Sequence, residues 1–496
     1  MKSKLTPISI CFIFIFLFLF NNNSRSQASL ERPIFSKERG FYHEPFDLII
    51  NSEPVGLTIY YTLDGTDPRT SITANSESAP VQIHIDPEII AGRDVAPGVV
   101  IRACATQNDS VFSPIATHSF LFLNKMKTLS LDAVPPGPGW PLPNNSDYGF
   151  QFMDYGMDPD VMNDVRYQDK IEPALLAIPT ISIVTDLKNL FNPDSGIYVH
   201  AYERGKEWER KASIELINPD DSHGFQIDAG IRIRGGWFRN PINPKHAFRL
   251  FFREAYGADK LRFAMFGDEG TDEFDKLDLR TGHNFSWSSM GDPACTMNRD
   301  VFSRDTQREM GQPYTRSRYY HLYINGTYWG LYQSQERSEA RFAATYFGGS
   351  KEDYDVIKIA VPPEANYEID VTDGNLFVWQ ELWQACQTGF STDASYFKAQ
   401  GLNPDGTRNL EYKILLDIDN LIDYMLLIFQ TANLDAPTDL SGTRPNNFYA
   451  IYNRNDPNGF KFFAHDNEWT MLFFHDRTGL NSNKVDDNPK VTDSKG

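Results

Sequence analysis

Asp435, Asn447 and Asp466 are two carboxylates and an amide, in that order, within a short stretch near the end of the chain. Their oxygens are hard donors that suit a magnesium-sized cation, and one carboxylate can also take a proton from a hydroxyl. Asn446 stands beside Asn447 as the competing amide, and Glu468 follows Asp466 by two residues. Upstream, Lys245 and Arg249 supply cations and Glu336 a further carboxylate.

These residues matter only if the chain brings them together. The apolar run Leu421 to Ala432 predicts a helix, with Asp419 as its N-cap, that anchors the loop Asn433-Leu434-Asp435. Residues 447–452 and 460–464 predict a hairpin whose second strand runs into His465-Asp466-Asn467-Glu468. That hairpin would return Asn447 and Asp466 towards Asp435. Carboxylate, amide, carboxylate is also the order in which kinase-type phosphotransferases present a base and two metal ligands.

The run Pro244 to Phe252 reads as a strand with Lys245, Ala247, Arg249 and Phe251 on one face. Together with Arg232 and Arg234, just before Gly235-Gly236, it makes a basic patch. Such a patch either neutralises a polyphosphate or is a solvated strand face with local salt bridges.

The chain has 496 residues, of which 41% are hydrophobic and 14% aromatic, enough for two or three domains with a large core. A net charge of −19 disfavours nucleic acid as a partner. Lys2 and Lys4 precede the apolar run Ile8 to Phe20, which reads as an export signal over residues 1–27. That places the mature protein outside the cytoplasm, secreted or in the cell envelope, with no stable membrane span. Cys11 lies in the leader, and Cys104, Cys295 and Cys386 lack metal-ligand spacing.

Residues 32–123 predict a β-sandwich from short strands separated by turn signals, the clearest being Leu63-Asp64-Gly65-Thr66-Asp67-Pro68. Asp64 and Asp67 are read as turn formers that bond their own backbone. Residues 124–178, rich in proline at 135–143, form an ordered linker. The large domain, 179–480, mixes strands and helices. It includes a hairpin turning at Asn325-Gly326, a helix over 299–310, one capped by Ser338 and one from about Asn375 to Cys386. Residues 481–496 read as a polar tail, which leaves a truncated chain open.

The phrases Ile-Tyr-Tyr-Thr-Leu-Asp-Gly-Thr-Asp-Pro (59–68) and Ile-Arg-Ala-Cys-Ala (101–105) resemble the immunoglobulin-like module at the C-terminus of chitobiases and hexosaminidases. In the large domain, a series of phrases resembles the spore-coat CotH kinases, a family of secreted atypical kinases. They are Ile-Arg-Ile-Arg-Gly-Gly (231–236), Pro-Lys-His-Ala-Phe-Arg-Leu (244–250), Leu-Arg-Thr-Gly (279–282) and Arg299-Asp300. Tyr-Ile-Asn-Gly-Thr-Tyr-Trp-Gly-Leu-Tyr (323–332), Asn-Leu-Asp (433–435), Asn-Asn-Phe-Tyr (446–449) and Phe-Phe-Ala-His-Asp-Asn-Glu (462–468) complete the series.

The resemblance implies an α+β, kinase-like large domain behind an immunoglobulin-like sandwich. It implies ATP and magnesium, with manganese as the alternative metal, and an exported protein or glycan as phosphate acceptor. By position, Asp435 is similar to the catalytic carboxylate, Asp466 and Asn447 to the metal ligands, and Lys245 to the phosphate-contacting lysine. Arg249 would assist at the phosphates, and Glu336 would pair with Lys245. Two departures stand out: Glu468 replaces the second Asp of the Trp-Asp-x-Asp phrase, and a proline-containing loop, 436–445, separates Asp435 from the asparagines. Other function classes are a non-catalytic surface protein binding glycan or protein, and a glycoside hydrolase using Asp466 and Glu468. The last fits poorly, since neighbours on one strand face do not flank a sugar at the usual ~5–9 Å.

Overall fold

The structure, a computed structural model, describes residues 30–126, 134–143, 151–282, 296–360, 368–439, 441–471, 473–474 and 477–478. The export signal with Cys11, Cys295 and the polar tail lie outside the described residues.

The N-terminal region is the sandwich its strand spacing predicts. One sheet orders strands Ile34–Phe35, Phe46–Asn51 and Val81–Ile85. The other orders Gly40–Tyr42, Ala116–Phe122, Gly98–Thr106, Thr58–Thr62 and Asn75–Ser78. Leu48, Ile50, Ile59, Ile101 and Phe120 fill the space between them. Asp64 accepts from its own turn, at the Thr66 N–H 3.0 Å away, as a turn-forming carboxylate does. Cys104 is a buried free thiol and Cys386 an exposed one.

The mixed sheet of the large region closes into a seven-stranded barrel. Its order is Arg210–Ile217, Phe225–Ile233, Phe248–Phe251, Lys276–Thr281, Thr327–Gln335, Ser317–Ile324 and Thr180–Val184, which pairs back to the first. All neighbours are antiparallel except Ser317–Ile324 with Thr180–Val184. Along Lys276–Thr281 the period-2 alternation is plain: Leu277 and Leu279 enter the barrel core, while Asp278 and Arg280 leave it on the outer face. Trp140 of the proline-rich stretch, with Met153 and Tyr155 after it, packs inside that same core.

A second sheet orders Glu368–Asp373, Tyr354–Ala360, Phe448–Asn453 and Lys461–Ala464. The expected hairpin is its last pair, with Phe448 opposite Ala464 and Ile451 opposite Lys461. Lys461–Ala464 is an edge strand whose free side is met by side-chain amides. Asn420 Oδ1 accepts from the Phe462 N–H (2.6 Å), while Gln307 donates to the Phe462 carbonyl (2.8 Å) and accepts from the Ala464 N–H (3.0 Å). Gln307 comes from the helix Arg299–Glu309, one residue shorter than expected.

The anchoring helix is Ile418–Gln430, three residues earlier than the apolar run suggested. Its N-cap is Asp417, not Asp419; the Asp417 carboxylate accepts from the Asn420 N–H at 3.0 Å. The helix expected after Ser338 is Ala340–Phe347, with Glu339 at its N-cap position, and that expected from Asn375 is Phe377–Thr388.

The sandwich is seated on the barrel. Glu215, fully buried on a barrel strand, accepts from the Ser119 N–H (3.2 Å) and hydroxyl (2.5 Å) and lies 3.1 Å from Arg39. Gly98 of the sandwich donates its N–H to the carbonyl of Gly326, the tip of the Asn325-Gly326 hairpin, at 2.9 Å. Leu121, Leu123 and Met126 meet Ile217 and Tyr323 in a shared apolar cluster.

Candidate active site

The loop after the helix Ile418–Gln430 is stitched to the turn that carries Asp466. Asn433 donates to the Asn467 side-chain oxygen at 2.6 Å, the Leu434 N–H to the Trp469 carbonyl at 3.0 Å, and the Met471 N–H back to the Thr431 carbonyl at 2.8 Å. Asp435 is therefore held next to the Asp466 segment by the bonds of the residues that precede it.

The asparagines reach Asp435 together. Asn446 donates to Asp435 Oδ1 at 2.8 Å and Asn447 to Oδ2 at 2.9 Å. The long intervening loop closes on itself: the Asn446 N–H donates to the Pro437 carbonyl (2.8 Å), and the Asp439 N–H to the Arg444 carbonyl (2.9 Å). It leaves and returns at one place, so its length does not separate the groups at its ends.

Asn447 and Asp466 share an uncommon backbone state, with φ of 49° and 57°. For residues with a Cβ, left-handed backbone is costly and persists where the surroundings over-determine it. Ala432 and Met471, at φ 49° and 50°, frame the same segment.

Facing them is Arg280, buried on the outer face of the barrel. Its guanidinium pairs with Asp466, with Glu468 at 2.5 Å and with Asp300 at 3.3 Å, and donates to Gln335 at 3.1 Å. Asp300 in turn accepts from Arg304 (2.8 Å) and from the Asn467 N–H (2.9 Å). Burial alone would raise the Asp300 carboxyl, but Arg304 and Arg280 hold it far below the carboxylate range. Burial would also raise the half-buried Asp466, but Arg280 holds it down, with Arg234 behind. Glu468 goes the other way: burial, reinforced by Asp466, pushes it well up in spite of Arg280. Burial lowers His465 to about 3, so the imidazole is neutral at physiological pH.

Beside Arg280, Arg234 and Arg249 both approach Asp278, at 2.9 and 2.6 Å. Arg249 lies within the electrostatic reach of Tyr449, whose ring meets His465 at 4.7 Å. The outer barrel face thus presents three arginines to the sheet that carries Asn447 and Asp466.

Lys245 is not among them. The strand begins only at Phe248, so the alternation expected from Lys245 to Phe252 does not extend back to the lysine. Its ammonium donates to the Asp154 carbonyl and sits 4.2 Å from the centre of the Trp329 ring. It lines a cavity of about 190 Å³ with Asp158, Thr281, Tyr328 and Tyr332. Burial lowers it to about 8. It forms no hydrogen bond or ion pair with Asp435, Asn447 or Asp466. The expected Glu336–Lys245 pair is absent too. Glu336 binds Arg316 at 3.0 Å and accepts from the Tyr346 hydroxyl. Arg232 is likewise withdrawn, 2.6 Å from Glu209.

Sequence reasoning gives Arg280 and Asp300 no role and places Arg234 only in a general basic patch. Leu-Arg-Thr-Gly and Arg299-Asp300 were noticed as phrases, but nothing in them signals a partner nearly two hundred positions away.

Hard oxygens of the kind that suit magnesium stand open here: Asn447 turns its nitrogen to Asp435, which leaves its amide oxygen open, and Asp466 has a second carboxylate oxygen beyond the one on Arg280. Among the described residues no group of three His, Cys, Asp or Glu side chains is placed to hold a metal ion. One or two protein ligands completed by phosphate and water is the usual magnesium arrangement at nucleotides.

Residues 231–494 match the CotH kinase protein family, and residues 48–120 match the Fn3-associated module. A search of curated proteins found no match. No helix among the described residues is long and apolar enough to cross a membrane.

Proposed function

Since this chain belongs to the CotH kinase protein family, we propose that it is a secreted phosphotransferase that moves the γ-phosphoryl group of ATP to a hydroxyl of an exported protein or glycan. The observation that carries this reading is the carboxylate of Asp435, gripped by two asparagine amides and tied by its loop to the turn bearing Asp466. The amides fix the direction in which the carboxylate can accept a proton from the acceptor hydroxyl. Asp466 and Asn447 would hold magnesium, which neutralises phosphate charge when bound with ATP. The arginines of the barrel face add fixed positive charge that needs no reorganisation during transfer.

Asp435→Asn is expected to reduce transfer from radiolabelled ATP to background while leaving the thermal unfolding temperature within a few degrees of the parent. Undiminished labelling by that variant would remove Asp435 from the chemistry.

A second reading is a non-catalytic surface protein that keeps the kinase-like fold for binding. Arg280 favours it, because a cation supplied by the chain already engages Asp466. Magnesium-dependent ATP binding by the full chain separates the two, and its absence at millimolar nucleotide selects the second.

A further inference from the structure

Arg234, one residue past the end of a barrel strand, and Arg249, on the adjacent strand, lean on one buried carboxylate, Asp278. Arg249 spends Nε and one terminal nitrogen on it, at 2.6 and 3.2 Å, and leaves Nη1 without a hydrogen bond. Arg234 is only 8% exposed, yet its Nε lacks hydrogen-bond geometry to any acceptor and neither terminal nitrogen donates one. A third cation, Arg280, stands close enough to act on Arg234 electrostatically, as does Asp466. A buried guanidinium with idle donors and cationic neighbours is costly unless an anion completes it.

The positions are also built. The Arg234 N–H is fixed to the Ala247 carbonyl at 2.9 Å. Beyond it the chain kinks at Gly235, φ 99°, where a Cβ would press on Phe238 at 3.0 Å. Arg239 then pins this kink by donating to the carbonyls of Gly235 and Ala201 (both 2.6 Å), Glu203 (2.8 Å) and Ile233 (2.5 Å).

We propose that Arg234 and Arg249, splayed on Asp278, are the seat for the polyphosphate of the nucleotide, in place of Lys245. The guanidinium fork matches phosphate oxygens in pairs, which an ammonium does not. The proposal rests on the phosphotransfer reading for the identity of its ligand, but the seat can be tested without transfer. Each arginine can be removed singly while the other still neutralises Asp278, so the fold is expected to survive.

The probes are inorganic tripolyphosphate and magnesium-ATP, titrated calorimetrically into the full chain. Arg234→Met and Arg249→Met are expected to weaken tripolyphosphate roughly tenfold or more each, and Arg234→Lys to recover only part of the loss. Lys245→Met is expected to change it less than about twofold, and ATP to compete for the same site. The seat is overturned if the parent binds no tripolyphosphate, if ATP does not compete, or if Lys245→Met loses binding while the arginine variants keep it. Loss in the arginine variants with no phosphate transfer by the parent upholds the seat and defeats the kinase reading. Transfer that is indifferent to Arg234 does the reverse.

Discussion

Two seams hold the large region in place, and they are made differently. Where the sandwich meets the barrel, glycine backbone touches glycine backbone, an apolar cluster lies beside it, and a buried carboxylate, Glu215, is wrapped by Ser119 and Arg39. Where the barrel meets the second sheet, Arg280, Asp300, Asp466 and Glu468 face one another, and Arg234 keeps donors in reserve. Close backbone contact needs no ligand and permits no sliding. A seam of paired charges can exchange one partner for another, which is what a site for a charged substrate requires. The sandwich is thus part of the platform, and the proposed phosphotransfer falls to the second seam.

Breaking the charged seam should have the largest effect. Arg280→Met leaves Asp300 and Asp466 without their shared cation, and a loss of about 3–5 kcal/mol is expected from denaturant unfolding. A smaller loss would mean that the carboxylates are already relieved by water or protons.

The dry seam is attacked by Gly326→Ala. The residue sits at φ 79°, and an added Cβ would lie 2.2 Å from the Gly98 carbonyl oxygen, backbone against backbone. A cost of about 2 kcal/mol is expected, with faster proteolysis between sandwich and barrel and little change in nucleotide affinity. An equal fall in nucleotide affinity would show that the two seams are not independent.

The smallest effect is one of pH. Burial pushes the Glu215 carboxyl from 4.5 up to about 7 in spite of Arg39. The folded state then holds its proton more tightly than the unfolded chain. Its contribution is complete below pH 4.5 and is lost as pH rises through about 7. Glu215→Gln should remove a decline on the order of 1–3 kcal/mol across that window, read from urea midpoints at pH 5 and pH 7.5. Asp300, held low, has the opposite sign: its contribution is lost only on acidification below the ordinary carboxylate range. A parent whose stability is flat from pH 5 to 7.5 would show that Glu215 is ionised in the fold.

What was legible in the sequence was local. Asn325-Gly326 announced its hairpin because a two-residue turn with positive φ at both positions accepts few other residues. The second hairpin was equally clear, and through it the meeting of Asn447 with Asp435. The helix start slipped because Asp417 and Asp419 are the same residue type two positions apart, and only the folded chain shows which carboxylate reaches an N–H. Lys245 departs from the expected face because the strand starts three residues after it, at Phe248, and the alternation starts there too. Barrel closure depends on the parallel pairing of Thr180–Val184 with His321–Ile324, and no pattern in either run names the other.

Arg280 draws its carboxylates from 20, 186 and 188 positions further along. The cluster is therefore complete only when the last strand of the second sheet has docked. Until then a synthesised chain carries a buried arginine facing one aspartate, and nothing around which a nucleotide could assemble. On the phosphotransfer proposal, competence and completion of folding become the same event, and a chain cut short before Lys461 is expected to be inert and not partly active.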